Sequence, residues 1–363
     1  MACDRPAIAS RTRMPAPKGA RPTGYSCEKD DTVKGLQITA PGRFEIVDVP
    51  ELDPFPDEVV VKVKVCNSCT HWDLTVWDGI DIFGRKGHPE YPYYVGGPGH
   101  ELSGTVVATG AQVTTLRLGD HVALWGSPAG VKPLRQASAH GTRPYGGYVE
   151  YFVTHERSVL PFPKGVLSWS EMGMLEMLSC VGQGVVVAGD LTGQRVAVSG
   201  MGPAGLMMLQ ALKSRGPDTL TAIDIDAERR ALATSLGADQ AIAPGTPEWE
   251  ALAENAFTLT VDCSGVPAAI EGALEHTAGR LVIFSVPERD FRVPHTSRLR
   301  GTTIEYTRTP AGRPSKYARH LLLSGQVNVK PLLTHELPIE QFVNGLGLLR
   351  RREALKVSFT MGA

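Results

Sequence analysis

Two different hydrophobic patterns divide the chain. From about residue 36 to residue 165, short runs alternate apolar and polar side chains between turn residues, which is typical of strands with one buried face. Five of these runs are predicted strands: 44–49, 58–65, 103–109, 121–124 and 147–153. Their close spacing predicts a barrel-like β unit. From 170 to 190, apolar residues recur at spacings of three and four, which predicts a helix.

Strands and helices alternate in the second half of the chain. Five short apolar runs separated by helical stretches are predicted strands: Val196–Ser199, Leu220–Ile223, Gln240–Ile242, Leu259–Asp262 and Arg280–Ser285. This alternation predicts an α/β unit with a doubly wound parallel sheet. The chain then closes with a predicted helix at 339–350 and a strand at 354–360. We expect that last strand to return to the β unit.

The composition of the first residues differs from that of the rest. Residues 1–33 combine basic side chains with proline, glycine and alanine and contain few large apolar groups, so we expect a flexible tail. The remaining chain divides into the β unit at 34–184, the α/β unit at 185–315 and the returning segment at 316–363.

Charge and composition exclude several classes of protein. A hydrophobic content of 42% with 21% charged residues is that of a globular protein, and a net charge of −1 offers no field for nucleic acid or a membrane surface. No apolar run approaches the length of a membrane span. Six scattered cysteines do not form a disulfide framework and indicate reduced thiols. We therefore expect a cytoplasmic protein with a small-molecule partner.

A glycine-rich turn follows the first strand of the α/β unit. Gly200, Gly202 and Gly205 stand in the Gly-x-Gly-x-x-Gly spacing, and the helical pattern begins directly behind them. Such glycines allow a tight turn, close approach of the backbone to a pyrophosphate and close packing of helix on sheet. Asp224 ends the next strand, where a carboxylate accepts hydrogen bonds from a ribose diol and repels a 2′-phosphate. The pattern predicts a dinucleotide site that prefers NAD.

Three other segments carry side chains that bind zinc. They contribute, in chain order, Cys66, Cys69, His71 and Asp73; His100 and Glu101; and Glu176 and Cys180. A catalytic zinc takes three protein ligands from cysteine, histidine and carboxylate and keeps a fourth position for water or substrate. A single Cys-x-x-Cys pair does not define a zinc site without further ligands.

The order of these motifs resembles the medium-chain dehydrogenase/reductase superfamily, and within it the zinc-dependent alcohol and polyol dehydrogenases. The segments that carry the resemblance are Gly99-His-Glu101 with Gly104, Gly119-Asp-His-Val122, Gly146-Gly-Tyr-Val-Glu-Tyr151, the Gly200–Gly205 turn, Leu236-Gly-Ala-Asp239 and Ala354-Leu-Lys-Val357. The resemblance covers nearly all of the chain from about residue 34. It implies a GroES-like β-barrel catalytic domain followed by a Rossmann NAD-binding domain.

The resemblance also implies the ligands of a catalytic zinc. In the family, the cysteine ligand lies eleven residues after the acidic residue that opens a strand, which here gives Cys69, with Cys66 as the alternative. His100 resembles the second ligand, and Glu101 resembles the neighbouring carboxylate that orients the site or binds the metal transiently. The third ligand is expected to be Glu176, as in polyol-type members, with Cys180 as the alternative.

The sequence departs from the family in three places. No cysteine lies between Val122 and Gly146, so we expect one catalytic zinc and no structural zinc. His71 replaces the hydroxyl that relays the substrate proton, and an imidazole can serve as acid and base directly. Asp73 comes one residue later than the family's aspartate, which a one-residue bulge would compensate.

These features predict a zinc-dependent oxidoreductase that transfers a hydride between a secondary alcohol and NAD. The substrate is expected to be a polyol, sugar or cyclitol-like molecule, and relatives suggest a homo-oligomer, either dimer or tetramer. The residues assigned to the cofactor are Gly200, Gly202, Pro203, Ala204, Gly205, Asp224, Arg229 and Val286. Two alternatives are a zinc-free enone or quinone reductase of the same superfamily and a non-catalytic dinucleotide-binding protein.

Overall fold

The structure is a computed structural model that describes residues 32–81, 89–126, 146–293, 301–307 and 314–362. Nearly all of the predicted tail lies outside the described residues, as does most of the cysteine-free segment between Val122 and Gly146. The first strand begins at Thr32, one residue before the predicted end of the tail. The domain boundaries at 34–184, 185–315 and 316–363 stay predictions.

A β-rich unit contains nine strands. They are β1 (Thr32–Ala40), β2 (Arg43–Pro50), β3 (Glu58–Asn67), β4 (Glu101–Thr109), β5 (His121–Leu124), β6 (Tyr151–His155), β7 (Val159–Phe162), β14 (Leu333–Pro338) and β15 (Lys356–Thr360). The first two form an antiparallel hairpin. The others form a seven-stranded sheet in the order β14-β15-β3-β4-β5-β7, with β6 paired to β3. Alternating side chains along β3 bury its valines and expose its lysines, as the period of two requires.

The second sheet has six parallel strands. They are β8 (Arg195–Ser199), β9 (Thr219–Ile223), β10 (Gln240–Ile242), β11 (Phe257–Asp262), β12 (Thr277–Ile283) and β13 (Thr303–Tyr306). Their order is β10-β9-β8-β11-β12-β13, a doubly wound arrangement whose order reverses at β8. The helices between them are α4 (Pro203–Lys213), α5 (Ala227–Ser235), α6 (Pro247–Glu250) and α7 (Pro267–His276). The predicted two-part α/β architecture is confirmed, and β13 was not foreseen.

The predicted helix at 170–190 is two helices. Helix α2 (Trp169–Gly173) begins at a capping box between Ser168 and Glu171, and α3 (Leu175–Ala188) follows after Met174. A Cβ at Gly173 would lie 3.0 Å from the carbonyl oxygen of Glu101, so the missing side chain lets α2 pack directly on β4. This contact brings the first turn of α3 to the end of the seven-stranded sheet.

The end of the chain joins the β-rich unit. Helix α8 (Ser315–Leu323) packs on α3, and α9 (Phe342–Arg350) leads into β15. Strand β15 pairs antiparallel with β3, with Ser358 opposite Asn67. Two large buried cores result, one beneath the parallel sheet and around α3 and α4, the other inside the β-rich unit. No helix of the described residues is long and apolar enough to cross a membrane.

Candidate metal centre and cofactor cleft

Cys69 lies at the start of a helix that was not foreseen from the sequence. It is the N-cap residue of α1 (Thr70–Asp78). The backbone N–H of Cys69 donates to Oδ2 of Asp73 at 2.9 Å, and the N–H of Asp73 donates to the Cys69 carbonyl at 2.8 Å. Asp73 therefore closes the first helical turn onto Cys69.

Cys66 has a different environment. It lies within β3 and is fully buried in the core of the β-rich unit. Burial raises the pKa of its thiol well above the usual range, and the nearby Asp73 and Glu101 carboxylates raise it further. A thiol held in its neutral form in an apolar core is a poor metal ligand. Of the two cysteines, Cys69 has the environment suited to a metal.

The ring of His100 is oriented by the backbone that precedes it. Its Nδ1 lies 2.7 Å from the carbonyl oxygen of Pro98, and because a carbonyl can only accept, Nδ1 carries the hydrogen. Nε2 then lies 3.9 Å from Oε2 of Glu176, and the ring of Trp72 packs beside the imidazole with centroids 5.2 Å apart. A hydrogen-bonded Nδ1 with Nε2 left for the ion is the usual arrangement of a metal-binding histidine.

The donor atoms converge. Ligand atoms of Cys69, His100 and Glu101 lie within 4.8 Å of one another, while Glu176 reaches His100 from the first turn of α3. The Sγ atom of Cys180 lies 3.9 Å from Oε1 of Glu176, so this cysteine contacts the carboxylate one turn before it. The structure thus brings together one thiol, one imidazole and two carboxylates.

The charge of this cluster suits a cation. Burial lowers the pKa of His100, but a hydrogen bond with Cys69 and the Glu176 and Glu101 carboxylates outweigh that effect and raise the pKa to about 10. The same acidic surroundings that hold a proton on the imidazole attract a divalent metal in its place. Cysteine, histidine and carboxylate donors are those that zinc accepts, so the residues present fit a zinc ion.

Asp73 supports Cys69, and in the described part of the chain it makes no hydrogen bond to His100. The side chain is 0% exposed, and its Oδ2 accepts from the Tyr148 hydroxyl at 2.7 Å as well as from Cys69 N–H. Its Oδ1 has no hydrogen-bond partner among the described residues. Tyr148 belongs to the Gly-Gly-Tyr motif, and its part in the site was not foreseen.

Glu101 is held by a lysine from the end of the chain. Nζ of Lys356 lies 2.6 and 2.5 Å from the two carboxylate oxygens, and both side chains are 0% exposed. Burial raises the pKa of the Glu101 carboxyl, and the Lys356 ammonium opposes that rise. The sequence signal for this pair was Lys356 itself, a charged residue at an inward position of a predicted buried strand, where it needs a partner of opposite charge.

His71 is the sequence-predicted acid and base of the site. It is exposed on α1, and its two chain neighbours are Thr70 and Trp72. Desolvation by the surrounding protein lowers its pKa, and the carboxylate of Glu288, in the segment after β12, opposes that shift. A histidine that stays neutral near physiological pH is able to accept a proton. The structure therefore places His71 near the parallel-sheet unit.

The glycine-rich turn has the geometry of a phosphate cradle. Gly200 has a φ of +90°, which favours glycine, and a Cβ on Gly205 would overlap the Gly200 carbonyl oxygen. At Gly202 a Cβ would meet nothing within 4 Å, so the space beside this backbone is open. Pro203 and Ala204 are the first residues of α4, whose N-terminus faces that space.

Asp224 lies beside this turn. Its Oδ2 accepts from the backbone N–H of Met201 at 2.6 Å, and its Oδ1 accepts from that of Asp226 at 2.9 Å. Arg229 lies in the first turn of α5, where its N–H donates to Asp226. The acidic end of β9 and the glycine-rich turn are therefore one continuous surface.

Comparison with known proteins identifies the family. Residues 55–164 match the family model described as an alcohol dehydrogenase GroES-like domain, and residues 203–319 match the one described as a zinc-binding dehydrogenase. L-threonine 3-dehydrogenase of Bacillus licheniformis is 30% identical over 358 residues, covering 90% of this chain and 99% of that protein. The chain belongs to the zinc-binding alcohol dehydrogenase family. It is thus an alcohol-type oxidoreductase of the medium-chain dehydrogenase superfamily.

Two further relatives agree with the family assignment. Sorbitol dehydrogenase of Ovis aries is 28% identical over 352 residues and covers 89% of this zinc-binding alcohol dehydrogenase and 94% of its own length. The crystal structure of 2R,3R-butanediol dehydrogenase from Bacillus subtilis aligns with a TM-score of 0.77 at 25% identity, over 91% of this chain and 100% of that chain. Both GroES-like and Rossmann units are therefore present, as predicted.

Three exposed aliphatic side chains follow the ends of parallel strands. Ile225 after β9, Val266 after β11 and Val286 after β12 are 69%, 40% and 54% exposed. Ligands of doubly wound sheets bind outside the carboxyl ends of the strands, where apolar groups can contact flat rings. Only Val286 was anticipated. The sequence signal for Ile225 and Val266 was an apolar residue just beyond a strand, directly after Asp224 in one case and Gly265 in the other.

Proposed function

We propose that this chain is an NAD-dependent dehydrogenase with a single catalytic zinc, acting on a secondary alcohol of the polyol, sugar or cyclitol class. The observation that carries the proposal is the clustering of the Cys69, His100 and Glu101 ligand atoms within 4.8 Å of one another, with a Glu176 oxygen 3.9 Å from Nε2 of His100. The relatives named for threonine, sorbitol and butanediol support a small hydroxylated substrate. No observation favours a zinc-free enone or quinone reductase.

Cys69, His100 and Glu176 would hold the zinc. Glu101 is the other carboxylate within reach, but both of its oxygens are bonded to Lys356, which supports Glu176 as the third ligand. Zinc bound at such a site supplies Lewis-acid polarisation of the alcohol oxygen. Three protein ligands leave a position for that oxygen.

The chain's own residues prepare the alcohol for oxidation. His71 accepts the hydroxyl proton at a ring nitrogen and passes it to solvent, which its exposed position on α1 permits. Asp73 holds the turn at Cys69, because its carboxylate accepts a hydrogen bond from the Cys69 backbone N–H. The carbinol carbon gives up a hydride, for which a nicotinamide cofactor is the acceptor. Val286, exposed shortly after the end of β12, would contact the cofactor's ring.

The preference for NAD rests on Asp224. Its carboxylate lies at the end of β9 beside the glycine-rich turn, where an adenosine ribose would present its diol. A 2′-phosphate there would meet a negative charge, and two unit charges 4 Å apart near a protein surface interact by about 4 kcal/mol. Arg229, in the first turn of the following helix, would contact the same ribose.

Metal analysis of the purified protein tests the zinc site. We expect about one zinc per chain in the wild type, and loss of that zinc in Cys69→Ser and Glu176→Ala. The matched controls are Cys66→Ser and Cys180→Ser, which remove a thiol from the same two segments and should retain the metal. Protein prepared without chelator that contains no zinc would overturn the proposal.

Turnover separates an enzyme from a non-catalytic dinucleotide-binding protein. We expect the protein to reduce NAD with at least one secondary alcohol from a panel of polyols, sugars and cyclitols. The absorbance of the reduced cofactor measures this reaction. His71→Ala should lower kcat more than KM, because the side chain moves a proton and does not hold the substrate. A zinc-loaded wild type that binds NAD yet oxidises no member of the panel would support the binding-protein alternative.

We also propose a cytoplasmic homo-oligomer, a dimer or a tetramer. Among the described residues, β13 is an edge strand of the parallel sheet and its Tyr306 is exposed, and an edge strand can pair with a strand of a second copy. Sedimentation velocity tests the assembly. A monomer at micromolar concentration in the presence of NAD and zinc would contradict it.

A further inference from the structure

The ion pair between Lys356 and Glu101 is the most deeply buried pair of charges in the described part of the chain. Nζ of Lys356 bonds both oxygens of Glu101 and also donates to the carbonyl oxygen of Ser68. An ammonium has three hydrogens to donate, and all three find acceptors here. The pair is therefore fully satisfied within the protein.

This pair joins the two segments that carry metal ligands. Ser68 directly precedes Cys69, and Glu101 directly follows His100. The backbone N–H of Val357, next to the lysine, donates to Oγ of Ser68 at 3.0 Å. The last strand of the chain is thus bonded to both ligand segments at once.

The Glu101 carboxylate has two possible partners. On one side it meets the lysine ammonium, and on the other its nearest oxygen lies within 4.8 Å of the donor atoms of Cys69 and His100. A carboxylate whose two oxygens both bond an ammonium has much of its charge neutralised, which makes it a weak metal ligand. Lysine and metal therefore compete for the same carboxylate.

The charges of the centre balance only with the lysine. A divalent ion with the thiolate of Cys69 and the carboxylates of Glu101 and Glu176 would carry a net charge of −1, and Lys356 brings that sum to zero. Burying an ion pair is costly, and an apolar pair of the same volume is often as stable. Stability alone therefore does not account for a lysine at this position, whereas control of the metal's ligands does.

We propose that Lys356 is a positioning residue of the metal centre that holds Glu101 off the metal and so keeps the metal's exchangeable position open. The proposal rests on the zinc site proposed above. Without the lysine, Glu101 turns to the metal and occupies the position that substrate needs. Lys356 acts through Glu101 and touches neither substrate nor cofactor in this role.

A double-mutant cycle on zinc affinity tests the coupling. The four proteins are wild type, Lys356→Met, Glu101→Gln and the double variant, each titrated with zinc against a chromogenic chelator. We expect Lys356→Met to bind zinc more tightly by a factor of the order of ten, and the same change to have no effect once Glu101 is Gln. The double variant replaces the ion pair by a neutral pair and leaves no buried charge without a partner. It therefore separates a loss of the ion pair from misfolding as the cause of a changed zinc affinity.

Cobalt in place of zinc provides a second readout. Freed Glu101 adds a ligand, so the visible absorption of the Lys356→Met cobalt form should weaken as the coordination number rises, and Lys356→Arg should restore the wild-type spectrum. An unchanged cobalt spectrum in Lys356→Met would overturn the proposal. So would an equal gain in zinc affinity from Lys356→Met with Glu or Gln at position 101, because a general loss of positive charge would give that gain. Failure of the wild type to bind zinc would instead overturn the proposed function.

Discussion

Replacing Tyr148 with Phe should weaken the turn that carries Cys69 while leaving the core around it intact. The Tyr148 hydroxyl donates to Oδ2 of Asp73 at 2.7 Å. Its ring packs edge-on against Phe342 and Phe359, with centroids 5.3 and 5.8 Å away. Phenylalanine keeps these ring contacts and removes one oxygen, so the substitution tests a single hydrogen bond.

The size of the effect follows from the burial of the carboxylate. A hydrogen bond to a charged group contributes about 1.5–3 kcal/mol. Asp73 is 0% exposed and its Oδ1 has no hydrogen-bond partner in the described residues, so the variant leaves the Cys69 N–H as the hydrogen-bond donor to this carboxylate there. We therefore expect the free energy of unfolding to fall by about 2 kcal/mol, near the middle of that range.

The pH dependence of the loss has a defined sign. Burial raises the pKa of Asp73, and the hydrogen bond from Tyr148 lowers it, so the variant should raise this pKa further. The bond stabilises the ionised carboxylate. The difference between wild type and variant should thus be largest above the pKa of Asp73 and shrink as the pH falls through it.

Urea unfolding of the metal-free protein, followed by tryptophan fluorescence, measures the change. Tyr306→Phe is the control, because it removes the same oxygen from a side chain that is 52% exposed. The zinc affinity of Tyr148→Phe should also fall by roughly tenfold, since the cysteine turn is less well held. A loss of less than about 0.5 kcal/mol together with unchanged zinc affinity would refute the reasoning.

Three further predictions concern the cofactor and metal sites. Asp224→Asn should weaken NADH binding about tenfold and strengthen NADPH binding, measured by fluorescence titration, and unchanged NADPH affinity would contradict Asp224 as the selector. Gly205→Ala should lower the thermal midpoint of unfolding, because the added Cβ would overlap the Gly200 carbonyl oxygen. Gly202→Ala should keep the wild-type midpoint and lose NADH affinity, because its Cβ would enter the open space beside the turn. Equal thermal midpoints for the two variants would contradict this reasoning. Because the pKa of His100 is raised to about 10, zinc binding at neutral pH should release at least one proton. Calorimetry in buffers of different ionisation enthalpy measures that release, and a binding enthalpy that does not depend on the buffer would contradict it.

Local patterns predicted the parallel sheet well. The Val196–Ser199 and Leu220–Ile223 runs became β8 and β9 with the same C-terminal residues, and the glycine-rich turn between β8 and α4 has the geometry that its spacing requires. These features depend on residues close together in the chain. Turn chemistry and hydrophobic period act at that range, so the sequence is sufficient to show them.

The elements that were missed depend on distant partners. Helix α1 begins directly after Cys69, whose N–H donates to the Asp73 side chain, and Asp73 is held in turn by Tyr148. The helix expected at 170–190 is broken at Met174, where α2 packs closely against β4. In both cases a contact between separate segments overrides the local pattern.

The sequence by itself determined which kinds of group are present: a dinucleotide turn ending in Asp224, and cysteine, histidine and carboxylates of the types that zinc binds. Only the tertiary structure decided their roles. It buried Cys66 in the core, brought Cys69 to His100, and bonded Glu101 to Lys356 across 255 residues of chain. Distances between side chains so far apart in sequence are set by how the sheets pair and pack, and local spacing carries no information about them.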